Sequence, residues 1–166
     1  MIGTHLRTTS TGALLVTMSM AACPAVPPPP PEELGDMVVD GIAYRVDTQV
    51  VETDPVTIQA DLELENVTRE RVEVTFPDAC VILLRGYRDE ERTPPPDWDQ
   101  ARVIACAQVL VQHVLEPGQI ERHQTRVRAH EVLGDSLPAG RYHLTVFLRP
   151  DTRTIEIAAG AADMAP

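Results

Sequence analysis

The chain has 166 residues, of which 25 are acidic and 14 are basic, so its formal net charge is −11. All 14 basic residues are Arg, and the acidic balance argues against a nucleic-acid binder and against a polybasic membrane-surface protein, because both rely on clustered cations. The length and a hydrophobic fraction of 43% predict one folded domain of common size, with some residues left over.

The N-terminus has the pattern of an export signal. A single cation, Arg7, precedes the apolar run 13–20, which is much shorter than the ~20 residues of a membrane-spanning helix. The segment 20–23, with the sequence MAAC, resembles the lipobox of bacterial lipoproteins, whose Cys is lipidated on sulfur before cleavage. We therefore expect residues 1–22 to be a lipoprotein signal peptide and Cys23 to carry a lipid. The mature protein would then be exported and anchored to a cell-envelope membrane, in the periplasm or on the outer surface. Cleavage by an ordinary signal peptidase at the same junction is the alternative.

A proline-rich spacer follows the expected anchor. Six of the 15 Pro residues lie between Pro24 and Pro31. Consecutive prolines favour polyproline II, which rises about 3.1 Å per residue and forms a semi-rigid spacer. We expect residues 23–36 to be the lipidated Cys and this linker, residues 37–160 to be the folded domain, and residues 161–166 to be a C-terminal tail.

The three cysteines divide into one anchor and one pair. An odd Cys in an oxidising compartment needs an explanation, and lipidation of Cys23 leaves Cys80 and Cys106. A disulfide between these two would close a loop of 26 residues and contribute about 3 kcal/mol in the chain-entropy treatment. Two buried free thiols are the alternative.

Hydrophobic alternation predicts strands throughout the domain. From Val56 to Leu64 apolar and polar side chains alternate strictly, as in a half-buried antiparallel strand, and Val72–Phe76 and Tyr142–Leu148 repeat the pattern. The polar segment 66–70 is predicted to be a hairpin loop. Less regular runs bring the number of candidate strands to eight: 42–51, 81–84, 107–115, 120–128 and 154–157. No segment has a sustained helical period, so we predict an all-β, immunoglobulin-like antiparallel β-sandwich of about 7–8 strands.

Four of these segments together resemble a known family. In order and spacing, Leu62–Asn66, Val72–Pro77, Leu115–Gly118 and Leu137–Val146 are similar to the bacterial intracellular proteinase inhibitor family, the BsuPI-like domain. The match spans most of Tyr44 to Leu148. The resemblance implies an immunoglobulin-like fold and, as for a few relatives, inhibition of a proteinase. No reactive loop of the family maps onto particular residues of this chain.

No catalytic or metal centre is predicted. Segment 134–137 spells GDSL, the motif of an esterase family, but no His lies three residues after any Asp downstream of Ser136 to supply the base. The histidines of the mature chain form no close ligand pair in the sequence: His113, His123, His130 and His143. We therefore expect a protein that is not an enzyme and that needs neither metal nor cofactor.

The segment between Cys80 and Cys106 holds the only Trp of the chain. A disulfide and three prolines would restrict the loop that carries it, and a restricted loop binds a partner at a low entropic cost. We therefore name a candidate partner-binding loop made of Pro94, Pro95, Pro96 and Trp98. The alternative is that Trp98 covers one end of the core.

Three functions remain open at this point. The leading hypothesis is a non-catalytic protein-binding module that reaches the membrane through its lipid and binds a protein or another envelope component. The second hypothesis is a proteinase inhibitor of the BsuPI-like family, whose partner would be a proteinase. The third is a structural component of the envelope.

Overall fold

A computed structural model describes residues 35–134, 136–151 and 153–165, and in these residues the chain consists mainly of strands. Ten strands, one short α-helix and one 3-10 turn follow one another along the described chain: β1 (Gly35–Val39), β2 (Ile42–Thr53), β3 (Val56–Asn66), β4 (Val72–Phe76), β5 (Leu83–Tyr87), β6 (Trp98–Asp99), the 3-10 turn (Gln100–Arg102), β7 (Val111–Leu115), β8 (Ile120–Arg128), α1 (Ala129–Leu133), β9 (Gly140–Leu148) and β10 (Ile155–Met164).

The strands form two main sheets and one small one. The first sheet has the order β1-β2-β3-β8, the second has the order β10-β9-β5-β6, and β4 pairs with β7. All of these pairings are antiparallel. The prediction of an all-β antiparallel sandwich is confirmed.

The core lies between the sheets and consists mainly of aliphatic side chains. Leu62 and Leu64 of β3 are fully buried, and Leu144 and Val146 of β9 belong to the same apolar cluster. Alternation along each strand places these residues on one face, while Glu63 and other polar residues lie on the opposite face. Burial of one such side chain stabilises the fold by about 1.5–3 kcal/mol.

The turn after β3 differs from the predicted hairpin, because β3 and β4 belong to different sheets. The buried side chain of Asn66 organises this crossing. Its Nδ2 donates hydrogen bonds to the carbonyls of Glu70 (2.7 Å) and Leu115 (2.8 Å), and its Oδ1 accepts one from the N–H of Thr68 (2.9 Å). These bonds connect the β3–β4 turn to the end of β7, so the chain leaves the first sheet at this point.

Three elements have no counterpart in the sequence prediction: β1, β6 and α1. Helix α1 has only five residues, too few to show a helical period. It begins where the carboxylate of Glu131 accepts the N–H of Arg128 (2.8 Å), and it buries Val132 and Leu133 against the core. Strand β6 has two residues, and β1 is mostly exposed, so neither shows a clear alternation.

Strands extend a few residues beyond both predicted ends of the folded domain. Strand β1 begins at Gly35, inside the predicted linker. Strand β10 continues to Met164, so residues 161–164 are part of the second sheet and not of a tail. The register of β10 shifts between Ala158 and Ala161, and this irregularity breaks the alternation after residue 157. Ala162 and Met164 are nevertheless buried beyond it.

The predicted signal peptide, Cys23 and the proline spacer lie outside the described residues. In the part of the chain that is described, no helix has the length and apolar character needed to cross a membrane.

Candidate functional site

Cys80 and Cys106 form a disulfide, as predicted, with their Cα atoms 5.5 Å apart. The enclosed segment contains β5 and β6, so it is also tied to the second sheet by strand pairing. Asp78, just before the first Cys, is buried and accepts the N–H of Cys80 (3.0 Å) while it pairs with Arg149. The disulfide therefore closes a segment whose N-terminal end is already held in place.

The loop 88–97, which we call the proline loop, is held in shape by its own hydrogen bonds. The Asp89 carboxylate accepts the backbone N–H of Thr93 (2.9 Å) and its hydroxyl (3.0 Å), and the Asp97 carboxylate accepts the N–H of Arg88 (2.8 Å). The bond from the Thr93 backbone lowers the pKa of Asp89 below its usual value. The loop is thus closed at both ends.

Trp98 and the three prolines occupy different environments. Pro94 and Pro95 are exposed, whereas Trp98 is only 5% exposed and belongs to the core cluster. Pairing of Trp98 with Gly86 in the second sheet brings its ring inward. Trp98 is therefore a core residue, as the alternative predicted, and its ring is not displayed to solvent. A binding role for Pro94, Pro95 and Pro96 stays a prediction.

Beside Trp98 the two sheets leave an apolar groove of about 380 Å³. Trp98 forms part of its wall, Val103 and Ile104 follow from the same segment, and β8 lies opposite. The residues that define the apolar groove are Trp98, Gln100, Val103, Ile104, Arg126, Val127 and Glu131. Val103 and Ile104 are 59% and 40% exposed, so the groove offers apolar contact area to solvent.

The buried side chain of Gln100, which lines this groove, connects the two sheets. Its Oε1 accepts the N–H of Leu84 in the second sheet (2.9 Å), and its Nε2 donates to the hydroxyl of Thr125 on β8 (3.2 Å). One side chain thus bridges the two sheets at the floor of the groove. A preformed groove of this kind does not have to be assembled by its ligand.

Strand β8 borders the groove, and it has an open edge, which is the side of the strand that pairs with no other strand of the described chain. Within the described residues it pairs with β3 and with no other strand, so one row of its backbone groups is left for another partner. The groove also continues along β8 into a more polar depression of about 310 Å³, with which it shares Arg126, Val127 and Glu131. The sequence analysis missed this site, and a signal that could have indicated it is the adjacent apolar pair Val103-Ile104, which belongs to no predicted strand.

Two groups of potential metal ligands lie in the described part of the chain. Asp78, Cys80 and Cys106 form the first, but the disulfide occupies both sulfurs. The second is His113, Glu121 and His123. Of the GDSL motif, Ser136 is exposed in the turn after α1, and Asp135 lies outside the described residues.

Comparison of the sequence with protein-family models and with curated proteins finds no match.

Proposed function

We propose that this protein is a non-catalytic binding module, anchored to a cell-envelope membrane through a lipid on Cys23, that binds an extended segment of a partner protein in the apolar groove. The anchor rests on the sequence of residues 1–31. The binding surface rests on the groove, its exposed apolar side chains and the open edge of β8.

The observation that carries the proposal is the open edge of β8 beside exposed Val103 and Ile104. An extended peptide that adds to a sheet edge gains affinity from main-chain hydrogen bonds and specificity from pockets that take alternate side chains. The groove supplies apolar contacts from Val103 and Ile104, and Arg126 and Glu131 supply one charge of each sign at its border. An extended segment with alternating apolar and polar residues fits this pattern.

Selection of peptides tests the proposal. The full chain is used to select from a displayed library of random 12-residue peptides, and enriched peptides are measured by fluorescence polarisation. We expect to enrich peptides in which apolar and polar residues alternate. Their affinity for the Val103→Asp variant should be at least tenfold lower than for the natural chain. Val67→Asp is the matched control, because Val67 is 49% exposed and lies away from the groove in the β3–β4 turn. Failure to enrich peptides that distinguish the two variants would refute the proposal.

The lipid anchor has a separate test. Mass spectrometry of the mature N-terminus should identify a lipidated Cys23, and Cys23→Ser should move the protein from the membrane fraction to the soluble fraction. A mature protein that begins at Cys23 without lipid would support secretion and would leave the groove proposal untouched.

The proline loop supports a second candidate function, proteinase inhibition. Inhibitors that occupy a proteinase active site present an exposed loop of fixed shape, and the hydrogen bonds of Asp89 and Asp97 hold this loop at both ends. Titration of subtilisin-like and trypsin-like proteinases with the full chain tests it. Inhibition should weaken in Asp89→Ala and persist in Val103→Asp. No inhibition at micromolar concentrations, together with no peptide binding, would favour the third hypothesis of a structural envelope component.

A further inference from the structure

His113, Glu121 and His123 meet where β7 and β8 flank their connecting turn. Glu121 and His123 lie two residues apart on one face of β8, and His113 approaches from β7. The ring centroids of the two histidines are 4.8 Å apart. One potential ligand atom from each of the three residues lies within 4.8 Å of those of the other two.

The close contact between His113 and Glu121 indicates which ring nitrogen of His113 is available. Its Nδ1 lies 2.8 Å from a carboxylate oxygen of Glu121, and because a carboxylate only accepts, Nδ1 carries the proton. In the neutral ring Nε2 then has a free lone pair. The His113 side chain is only 10% exposed, and its Nε2 is buried without a hydrogen-bond partner among the described residues.

His123 presents a second nitrogen of the same kind. Its Nε2 is also buried and has no hydrogen-bond partner in the described part of the chain. Two unpaired ring nitrogens on rings whose centroids are 4.8 Å apart are costly unless something binds them, because buried polar atoms in proteins are normally paired.

We propose that His113 and His123 bind a late first-row divalent cation, such as Zn²⁺, through their Nε2 atoms. Glu121 holds the His113 ring through Nδ1 and supplies a negative charge, as carboxylates behind metal-binding histidines commonly do. Imidazole nitrogens suit Zn²⁺ and its neighbours and not Mg²⁺. With bonds of about 2.0–2.1 Å and tetrahedral angles, the two nitrogens would lie about 3.3 Å apart.

The surrounding structure limits the movement of His113. The ring of Phe76 packs edge-on against it, with the centroids 5.8 Å apart. His113 pairs with Val74 on β4, and His123 pairs with Leu62 on β3, so the two histidines come from strands of different sheets. A bound cation would therefore join the small sheet to the first sheet. The site is independent of the apolar groove and of the proline loop.

Nitrogen-detected NMR of the histidine rings tests the site without any substitution. Metal-free full chain, without an affinity tag, is titrated with Zn²⁺. We expect saturation at one equivalent with large shifts of the Nε2 resonances of His113 and His123, and no change at His130 or His143. Mg²⁺ should cause none of these shifts. Unchanged resonances of His113 and His123, or equal shifts of every histidine ring of the chain at the same Zn²⁺ concentration, would overturn the proposal.

Calorimetry of variants provides the second measurement. His123→Gln should lower Zn²⁺ affinity at least about 100-fold, and Glu121→Gln should lower it about 10–100-fold, the range typical of residues that orient a metal ligand. His130→Gln is the matched control and should bind Zn²⁺ like the natural chain, because His130 is exposed on α1. The fluorescence of buried Trp98 reports whether each variant is folded. A folded His123→Gln variant that binds Zn²⁺ with unchanged affinity would overturn the proposal.

Discussion

Glu156 on β10 connects three strands of the second sheet, so replacing it by Gln should destabilise the protein. One carboxylate oxygen accepts hydrogen bonds from the hydroxyls of Tyr87 (2.5 Å) and Thr145 (2.6 Å), and the other accepts one from Arg85 (2.8 Å). Arg85 is held in turn by Asp99 on β6 (3.0 Å). The carboxylate is thus the common acceptor of a network that reaches across the sheet.

The size of the effect follows from these contacts. Glu156→Gln keeps one acceptor oxygen for the two hydroxyls but places an NH₂ group against the guanidinium of Arg85, so a charge-assisted bond is replaced by two opposed donors. Hydrogen bonds to charged groups contribute about 1.5–3 kcal/mol each. Asp99 still compensates the charge of Arg85, so we expect a loss of about 2 kcal/mol in the free energy of unfolding.

The loss should depend on pH. Burial raises the pKa of Glu156, but the hydrogen bonds from Thr145, Tyr87 and Arg85 together outweigh burial, and the pKa lies below its usual value. A carboxylate with a lowered pKa stabilises the fold above its unfolded pKa, about 4.3 for Glu, and this contribution is lost as the pH falls through the folded pKa. The difference between the natural chain and Glu156→Gln should therefore be full at pH 7 and smaller at pH 3.

Urea denaturation followed by the fluorescence of Trp98 measures this difference at both pH values. Asp163→Asn is the control, because it makes the same change on β10 in an exposed ion pair with Arg141, which contributes at most about 1 kcal/mol. If Glu156→Gln is no less stable than Asp163→Asn at pH 7, the network reasoning is wrong. An equal loss of stability at pH 3 and pH 7 would show that altered packing, and not the charge of Glu156, causes the destabilisation.

Three further predictions concern other parts of the fold. Replacing Cys80 and Cys106 together by Ser should lower the free energy of unfolding by about 3 kcal/mol, and an unchanged urea midpoint would contradict the entropic role of the disulfide. Asn66→Ala should cost about 2 kcal/mol because it leaves the buried carbonyl of Leu115 without the Asn66 donor, and a loss below 1 kcal/mol would show that the turn does not depend on Asn66. Burial raises the pKa of Tyr44 and Tyr87 to about 12, so absorbance at 295 nm should show their ionisation well above pH 10. Their contribution to stability is present below pH 10 and is lost as the pH rises toward 12, and a titration centred at pH 10 in folded protein would contradict this assignment.

Strands with strict alternation were predictable to within a few residues. Val72–Phe76 has the predicted bounds, and the runs 56–64 and 142–148 each differ from the observed strand by two residues at one end, because period two in a half-buried strand is a property of neighbouring residues. The Cys80–Cys106 pair followed from counting cysteines in a chain expected to be exported. Helix α1 and the end of β10 were missed because one is too short to show a period and the other contains a register shift.

The candidate sites were less accessible from the sequence. The apolar groove combines Val103 with Arg126, and the metal-ligand cluster combines His113 with His123, ten positions away. A search for close histidine spacing within one strand cannot find such a pair, because the ligands lie on strands that belong to different sheets.

The amino-acid order alone predicted the strand content and the cysteine pairing that the structure has. The anchor and the spacer stay predictions. All four depend on local composition and short-range periodicity. The tertiary structure decided the exposure of each candidate residue. It buried Trp98, left Val103 and Ile104 exposed beside the open edge of β8, and brought together two imidazole rings that each carry an unpaired nitrogen. The physical reason is that burial and proximity depend on which strands become neighbours, and long-range pairing sets that choice.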